Sequence, residues 1–201
     1  MYLPAPFQEN DPAAALKLIA NYPFATLISH GDKPWISHVP LLVQDPVTPV
    51  LFGHLARENP QSADILAGGR VTAVFAGPHA YISPTWYTTP QMVPTWNFVV
   101  VHVEGVVSAI TAHDDLSRLV EDLADYFERG SDNPWIPDYP PAMLDAIIGF
   151  TLTADTVRAK FKLSQNKSRD DRVGVVDALE QGGVGDRALA AIMREHGLVD
   201  N

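Results

Sequence analysis

Between residues 24 and 110 the chain is dominated by β-branched and aromatic runs punctuated by turn residues. "FATLIS", "WISHVPLLV", "VLFGHLA" and "RVTAVFAG" are separated by "HGDKP", by "QDPVTP" and by a short helix-like "NPQSADILAGG". Short extended runs with Gly, Pro and Asp between them specify antiparallel strands, the pattern of a barrel or sandwich. Two further strands are expected at "VPTWNFVVVHVEGVVSAI" and "GFTLTADTVRAKFKLS". Every second side chain of a strand faces the same way. In the first of these strands Trp96, Phe98, Val100, His102 and Glu104 therefore share a mixed face, and Asn97, Val99, Val101 and Val103 share a mostly apolar one. In the second, Arg158, Lys160, Lys162 and Ser164 form a cationic ladder opposite Val157, Ala159, Phe161 and Leu163.

Helical signals frame this β region. Asp11 before Pro12 is an N-cap and first-turn pair, so "PAAALKLIANY" should be an amphipathic helix that stops before Pro23. Leu116, Leu119, Val120, Leu123 and Phe127 recur at helical spacing, with Asp114 or Asp115 as the expected cap and Gly130 as the stop. Residues 131–141, with Trp135 amid prolines, read as a stiff loop into a short apolar helix, "PAMLDAIIG". After Ser164 two more helices are expected, "RDDRVGVVDALEQ" and "GDRALAAIMREHG". The organisation expected is a β domain over residues 1–165 and a helical appendage over 166–201 packed on it.

A chain of 201 residues that is 46% hydrophobic and 19% charged can bury one sizeable core. Its longest apolar runs fall short of the roughly 20 residues that a membrane helix needs, and its first residues show no signal-peptide pattern. A cytoplasmic location with no membrane contact is therefore expected. With no cysteine, thiolate nucleophiles, disulfides and Cys-ligated metals are excluded. A formal net charge of −10 opposes nucleic-acid binding through the bulk surface, so any anion site must be local. Six of the fourteen Lys and Arg residues fall in "RAKFKLSQNKSRDDR", which marks where to look.

Several residues could carry chemistry. "GHLARENP" brings a close-approach glycine, His54, Arg57 and Asn59 together at a strand end, materials suited to a planar cofactor with a phosphate tail. Trp86 and Trp96 could be core or interface residues, or stacking platforms. His102 and Glu104 lack any partner pattern such as HExxH, and no metal site is expected. No GxSxG, GxxxxGK[ST] or GxGxxG motif occurs, so hydrolase, P-loop and Rossmann readings have no support.

The ordered blocks "HVPLLV", "GHLARENP", "FAGPHAYISPTWY", "VPTWNFVVVHVEG" and "KFKLSQNKSRDDRVGV", with the opening "MYLPAPFQENDPAAALKLIANYPFATLIS", resemble the PaiB family of FMN-binding negative transcriptional regulators. The resemblance covers nearly the whole chain. It implies a mainly β split barrel of the FMN-binding, pyridoxamine-phosphate-oxidase-like type, homodimeric, with FMN in a cleft between subunits. Carried over by block, it places His38, Leu41 and Leu42 near the ring or its ribityl chain, and His54, Arg57 and Asn59 as ring or phosphate donors. Lys162, Gln165, Asn166 and Lys167 are added from the far side or the partner subunit, and Trp96 closes the cleft with His102. His79, Tyr81 and Trp86 fall at the dimer boundary. One departure stands out: Arg158 and Ala159 replace the family's usual Glu-Gly, which raises the local positive potential and stiffens the backbone ahead of the block.

Three functions follow from this reading. The first is flavin-linked transcriptional regulation, with DNA contact weak or indirect because the tail helices mix Arg169, Arg172, Arg187 and Arg194 with many acids. The second is an FMN-dependent oxidoreductase for a small molecule, with His54, His79, Tyr81 and His102 as candidate proton donors. The third is a cofactor-free dimeric binding scaffold.

Overall fold

The computed structural model describes residues 1–31 and 33–199. Among these residues one sheet is built from β1 (Gln8–Glu9), β2 (Phe24–Ser29), β3 (Ile36–Pro40), β4 (Leu42–Asp45), β5 (Val50–Ala56), β6 (Arg70–Ile82), β7 (Thr95–Ile110) and β8 (Ile147–Lys162). The strand order is β3-β2-β6-β7-β8-β5-β4, with β1 paired to β8. The helices are α1 (Pro12–Asn21), α2 (Ser62–Leu66), α3 (His113–Glu128), α4 (Arg169–Glu180) and α5 (Val184–Glu195). Two compact units divide the chain. The first comprises Met1–Leu18, Ala76–Val101 and Arg158–Asn201, and the second Ile19–Phe75 and His102–Val157.

In the second unit β2 runs antiparallel to both β3 and β6, and β5 to both β4 and β8. Leu27, Leu51, Phe75, Phe150 and Leu152 are fully buried there, so removing the Phe150 ring would cost about 3–5 kcal/mol. Helix α3 lays Leu119 and Leu123 against Leu42, with Phe52 at the margin. In the first unit the apolar face expected of β7 is buried through Asn97, Val99 and Val101, whereas Trp96 is 53% exposed. Helices α4 and α5 bury Val175, Val176, Leu179, Leu189 and Met193.

Local structure departs from the sequence expectations at three places. "WISHVPLLV" is two strands, because Pro40 has no N–H to continue a ladder and Leu41 donates its own to Pro23 O at 2.9 Å. The chain thereby leaves β2 and joins β5 as β4. "PAMLDAIIG" is a 3₁₀ turn over Pro141–Ala146 that gives way to strand at Ile147, where two β-branched residues pair with Ala56 and Leu55. Helix α3 starts two or three residues earlier than an Asp114 or Asp115 cap would set: Ala112 is the N-cap and makes no side-chain bond. Both acids lie in the first turn, where the helix dipole favours them. At α1 the expected cap is present, with Asp11 Oδ1 accepting from Ala13 N at 2.9 Å.

Candidate functional site

A concave surface of about 600 Å³ in the second unit is lined by Ser37, His38 and Pro40 of β3, by His54 and Ala56 of β5, and by Asn59 of the turn that follows. That volume suits a cofactor-sized ligand. Close packing of β5 against the Pro40–Leu41 corner makes the wall. A Cβ on Gly53 would lie 2.6 Å from Leu41 Cδ2 and 2.7 Å from Pro40 O, so only glycine fits. Leu41 is fully buried at this corner, and Leu42 packs with Leu119 and Leu123 under α3, so both leucines serve the core.

His54 is the group with chemistry to spare. Its Nδ1 is buried and has no hydrogen-bond partner among the described residues. Burial disfavours the imidazolium and pushes its pKa below the usual 6.5, so the ring is neutral at physiological pH. Its neighbours are already committed. Asn59 Nδ2 donates to Ser37 Oγ at 2.8 Å and Asn59 Oδ1 accepts from Gln61 N at 3.0 Å, which fixes the turn. Arg57 donates through Nε to Asp145 O at 2.6 Å and through Nη2 to Ile147 O at 3.0 Å, so its guanidinium clamps the start of β8. His38 is exposed and its ring stacks on Phe24 at 6.3 Å between centroids.

The remaining expected site residues belong to the first unit. Trp96 lies 6.2 Å from the His79 ring and 6.1 Å from the Tyr81 ring. Lys162 Nζ donates to Thr95 Oγ1 at 2.8 Å and to the Trp96 carbonyl. Gln165 folds back on its own turn, accepting from Leu163 N at 2.7 Å and donating to Phe161 O, and Asn166 is exposed. Lys167 Nζ sits 3.3 Å from Met92 Sδ and 5.3 Å from the Tyr87 ring centroid. β8 runs without a break through Arg158 and Ala159, and Ala159 is buried opposite Glu9 of β1.

Two constellations in the first unit escaped the sequence reading. Buried Asn97 donates to Ser164 Oγ at 2.9 Å, and Ser164 takes a left-handed φ of 65° as β8 turns toward α4. Asp171 is 1% exposed and its carboxylate accepts from the amides and hydroxyls of both Thr88 and Thr89 at 2.7–3.0 Å. These bonds, the Thr89 hydroxyl foremost and then its amide, hold the carboxyl far below the usual range. The signal was present as Ser168-x-x-Asp171, a capping-box spacing, and Ser168 Oγ does accept from Asp171 N at 3.2 Å. No helix among the described residues is long and apolar enough to cross a membrane.

Comparison with known proteins adds to this geometry. Residues 1–156 match the family described as "Putative FMN-binding domain". The chain is 32% identical over 187 residues to the "Protease synthase and sporulation protein PAI 2" of Bacillus subtilis, covering 90% of this chain and 89% of that one. It is 28% identical over 245 residues to an uncharacterized protein of Emericella nidulans, covering 98% of each. Among solved structures it is similar to the FAD and heme binding protein from Mycobacterium smegmatis, with a TM-score of 0.63, 16% identity, and 83% of this chain and 78% of that one covered. The flavocytochrome Anf3 from Azotobacter vinelandii gives a TM-score of 0.61 at 11% identity, over 77% of this chain and 69% of that one. At such identities these two speak to fold alone, a mainly antiparallel split barrel with flanking helices. The match over residues 1–156 and the Bacillus relative together make this chain a PaiB-type member of the FMN-binding domain family, with FMN as the cofactor that membership implies.

Proposed function

We propose that this protein binds FMN at the His38–His54–Asn59 surface and acts as a negative regulator of transcription. The observation that carries the cofactor assignment is the buried, unpartnered Nδ1 of a neutral His54 in the wall of a cofactor-sized cleft. Unpaired buried polar atoms are costly, and a ligand group that completes the bond removes the cost. When bound, FMN supplies reversible electron or hydride transfer. The chain's own part is to present a neutral imidazole, to hold the turn rigid through Asn59 and Ser37, and to keep the wall free of side-chain bulk at Gly53. Arg57, occupied by two carbonyls, acts as a positioning residue for β8.

The regulatory role is carried over from the Bacillus relative, whose name ties it to protease synthesis and sporulation. Direct operator binding is disfavoured. Arg172 donates to Leu198 O and Lys167 O, Arg187 to Gly182 O, and Arg194 to Glu180, so three of the four tail-helix arginines are already engaged by backbone carbonyls or an acid of the chain itself. The regulator therefore acts through a partner protein or a salt-sensitive contact, and it works as a homodimer. Support for self-association comes from the sheet edge, where Ile36 of the edge strand β3 is 59% exposed and Phe24 of the adjoining β2, at the other end of the ladder opposite Pro40, is 66% exposed.

The test is the absorption spectrum of the purified protein, followed by FMN titration. A flavin spectrum, or uptake of added FMN that falls about tenfold in His54→Phe, is expected. A colourless protein that takes up no FMN would leave the scaffold reading instead.

A further inference from the structure

The charge of the chain is concentrated in one stretch of the second unit. Residues 113–145, which hold α3 and the proline-rich segment after it, carry nine carboxylates and two arginines, so they supply −7 of the net −10. Arg118 pairs with Asp115 at 3.1 Å, and Arg129 stands over the Tyr126 ring at 5.7 Å. Asp114, Glu121 and Glu128 recur every seven residues and so line one edge of α3. The proline-rich segment returns along that edge. Trp135 N donates to Glu128 Oε2 at 3.1 Å near the end of the helix, Tyr139 OH lies 3.4 Å from Ser117 Oγ in its first half, and Asp145 Oδ1 lies 2.8 Å from His113 Nε2 at its start. A cleft of about 260 Å³ opens between helix and segment, walled by Pro137, Tyr139 and Pro141 and bordered by Asp114 and Glu121.

Apolar groups stand in water among these carboxylates. Trp135, Ile136 and Met143 are 48%, 77% and 62% exposed, and the Trp135 ring stacks on Tyr139 at 6.3 Å between centroids. Exposed large apolar side chains with a polar rim mark interaction surfaces, and a tryptophan at such a place is the side chain that most often carries binding energy. Pro134, Pro137, Pro140 and Pro141 stiffen the backbone that presents it, which lowers the cost of ordering the surface on binding. The charge selects the occupant. A second copy of this chain would bring −10 to an acidic face, and a nucleic acid or an anionic membrane would be repelled more strongly. A basic segment is attracted. We propose that this face docks a basic amphipathic helix of a partner protein, with Trp135 and Ile136 as apolar anchors and a Lys or Arg of the partner in the cleft beside Asp114, Glu121 and Tyr139. The proposal rests on the reading that regulation works through a partner, and it names the chemistry of that partner.

The probe is a fluorescently labelled peptide of about 15 residues, built of Lys and Leu in an amphipathic helical pattern, whose anisotropy reads its affinity for the full chain. The native protein should bind it about tenfold more weakly at 0.5 M salt than at low salt, and Asp177→Asn, which removes an exposed charge from α4, should match the native protein. Trp135→Ala and Ile136→Ser should each weaken binding about tenfold, and Glu121→Gln about threefold. Ile136→Ser leaves the Trp135–Tyr139 stack in place, so its loss of affinity, with unchanged far-UV circular dichroism, cannot come from misfolding. A peptide with the same lysines and Ser in place of Leu should bind about tenfold more weakly than the Leu peptide. Affinity that ignores Trp135, Ile136 and Glu121, or a Ser peptide that binds as well as the Leu peptide, overturns the surface. So does a native dimer that Trp135→Ala turns into a monomer, because the occupant is then a second copy. Each of these results leaves partner-mediated regulation standing at another face. That reading fails instead on tight, sequence-selective DNA binding by the native protein, a result on which the peptide titration does not depend.

Discussion

His54 and Arg57 stand three residues apart and looked alike as donors from sequence, yet the fold uses them in opposite ways. Arg57 reaches carbonyls 88 and 90 residues away, a commitment that no local pattern reveals. His54 keeps one nitrogen unspent inside the protein. Because burial lowers its folded pKa below 6.5, the unfolded chain takes up the proton first as pH falls. Its effect on stability is absent above pH 6.5 and grows destabilising as pH drops below that value. His54→Phe removes both this slope and the unpaired nitrogen. Urea midpoints at pH 7.5 and pH 5 should therefore fall more for the native protein than for His54→Phe. At pH 7.5 the variant should be as stable as the native protein or more so, by up to about 1–3 kcal/mol. Equal losses on acidification would show that the ring is solvated. The alternation on β7 was legible residue by residue, since a period of two needs only the local sequence, and Asn97, Val99 and Val101 are buried as it requires.

Elements were legible where one local signal dominated, and misread where a change of partner decided. The split of "WISHVPLLV" followed from Pro40, whose missing N–H was in view, but the exchange of β2 for β5 was not. The docking of α4 was hidden for a different reason: "RDDR" shows only a charged helix start of balanced sign, whereas its Asp171 turns inward and gathers the loop after β6. Gly174, one turn further along α4, completes that contact. A Cβ there would lie 2.2 Å from Trp86 O, so the helix and the 3₁₀ turn Pro84–Trp86 meet backbone to backbone. Asp171 is thus a latch between α4 and residues 87–89. Asp171→Ala leaves the Thr88 and Thr89 donors unpaired, and chymotrypsin should then cut after Trp86 or Tyr87 about tenfold faster at neutral pH. Since the carboxyl's folded pKa is depressed, its stabilisation is complete above the ordinary value of 3.8 and is lost as pH falls below it. The native loop should accordingly open to an acid-active protease at low pH, while Asp171→Ala loses this pH dependence. Unchanged cleavage in the variant would mean that Gly174 packing alone holds the loop.

At the scale of the whole molecule, net charge and exposed apolar surface set what the protein can associate with. A chain at −10 resists non-specific association with polyanions, and its lysine-rich face is a local exception. Self-association needs apolar surface instead, and the sheet edge at β3 offers it. Ile36 on the edge and Phe24 on the neighbouring strand are more than half exposed, and an edge strand with bare apolar side chains is one that natural proteins cover. His38, stacked on Phe24, ties that edge to the proposed flavin surface. A second subunit on β3 would therefore shield the cleft as well as the edge, and flavin affinity should depend on protein concentration. Sedimentation should give a dimer for the native chain and a monomer for a Phe24→Glu, Ile36→Lys double variant, because burying either charge without a partner costs several kcal/mol. The monomer should also bind FMN more weakly while keeping its far-UV circular dichroism. A variant that remains dimeric would move the interface to another face. One that turns monomeric with undiminished FMN affinity would show that a single subunit makes the whole flavin site.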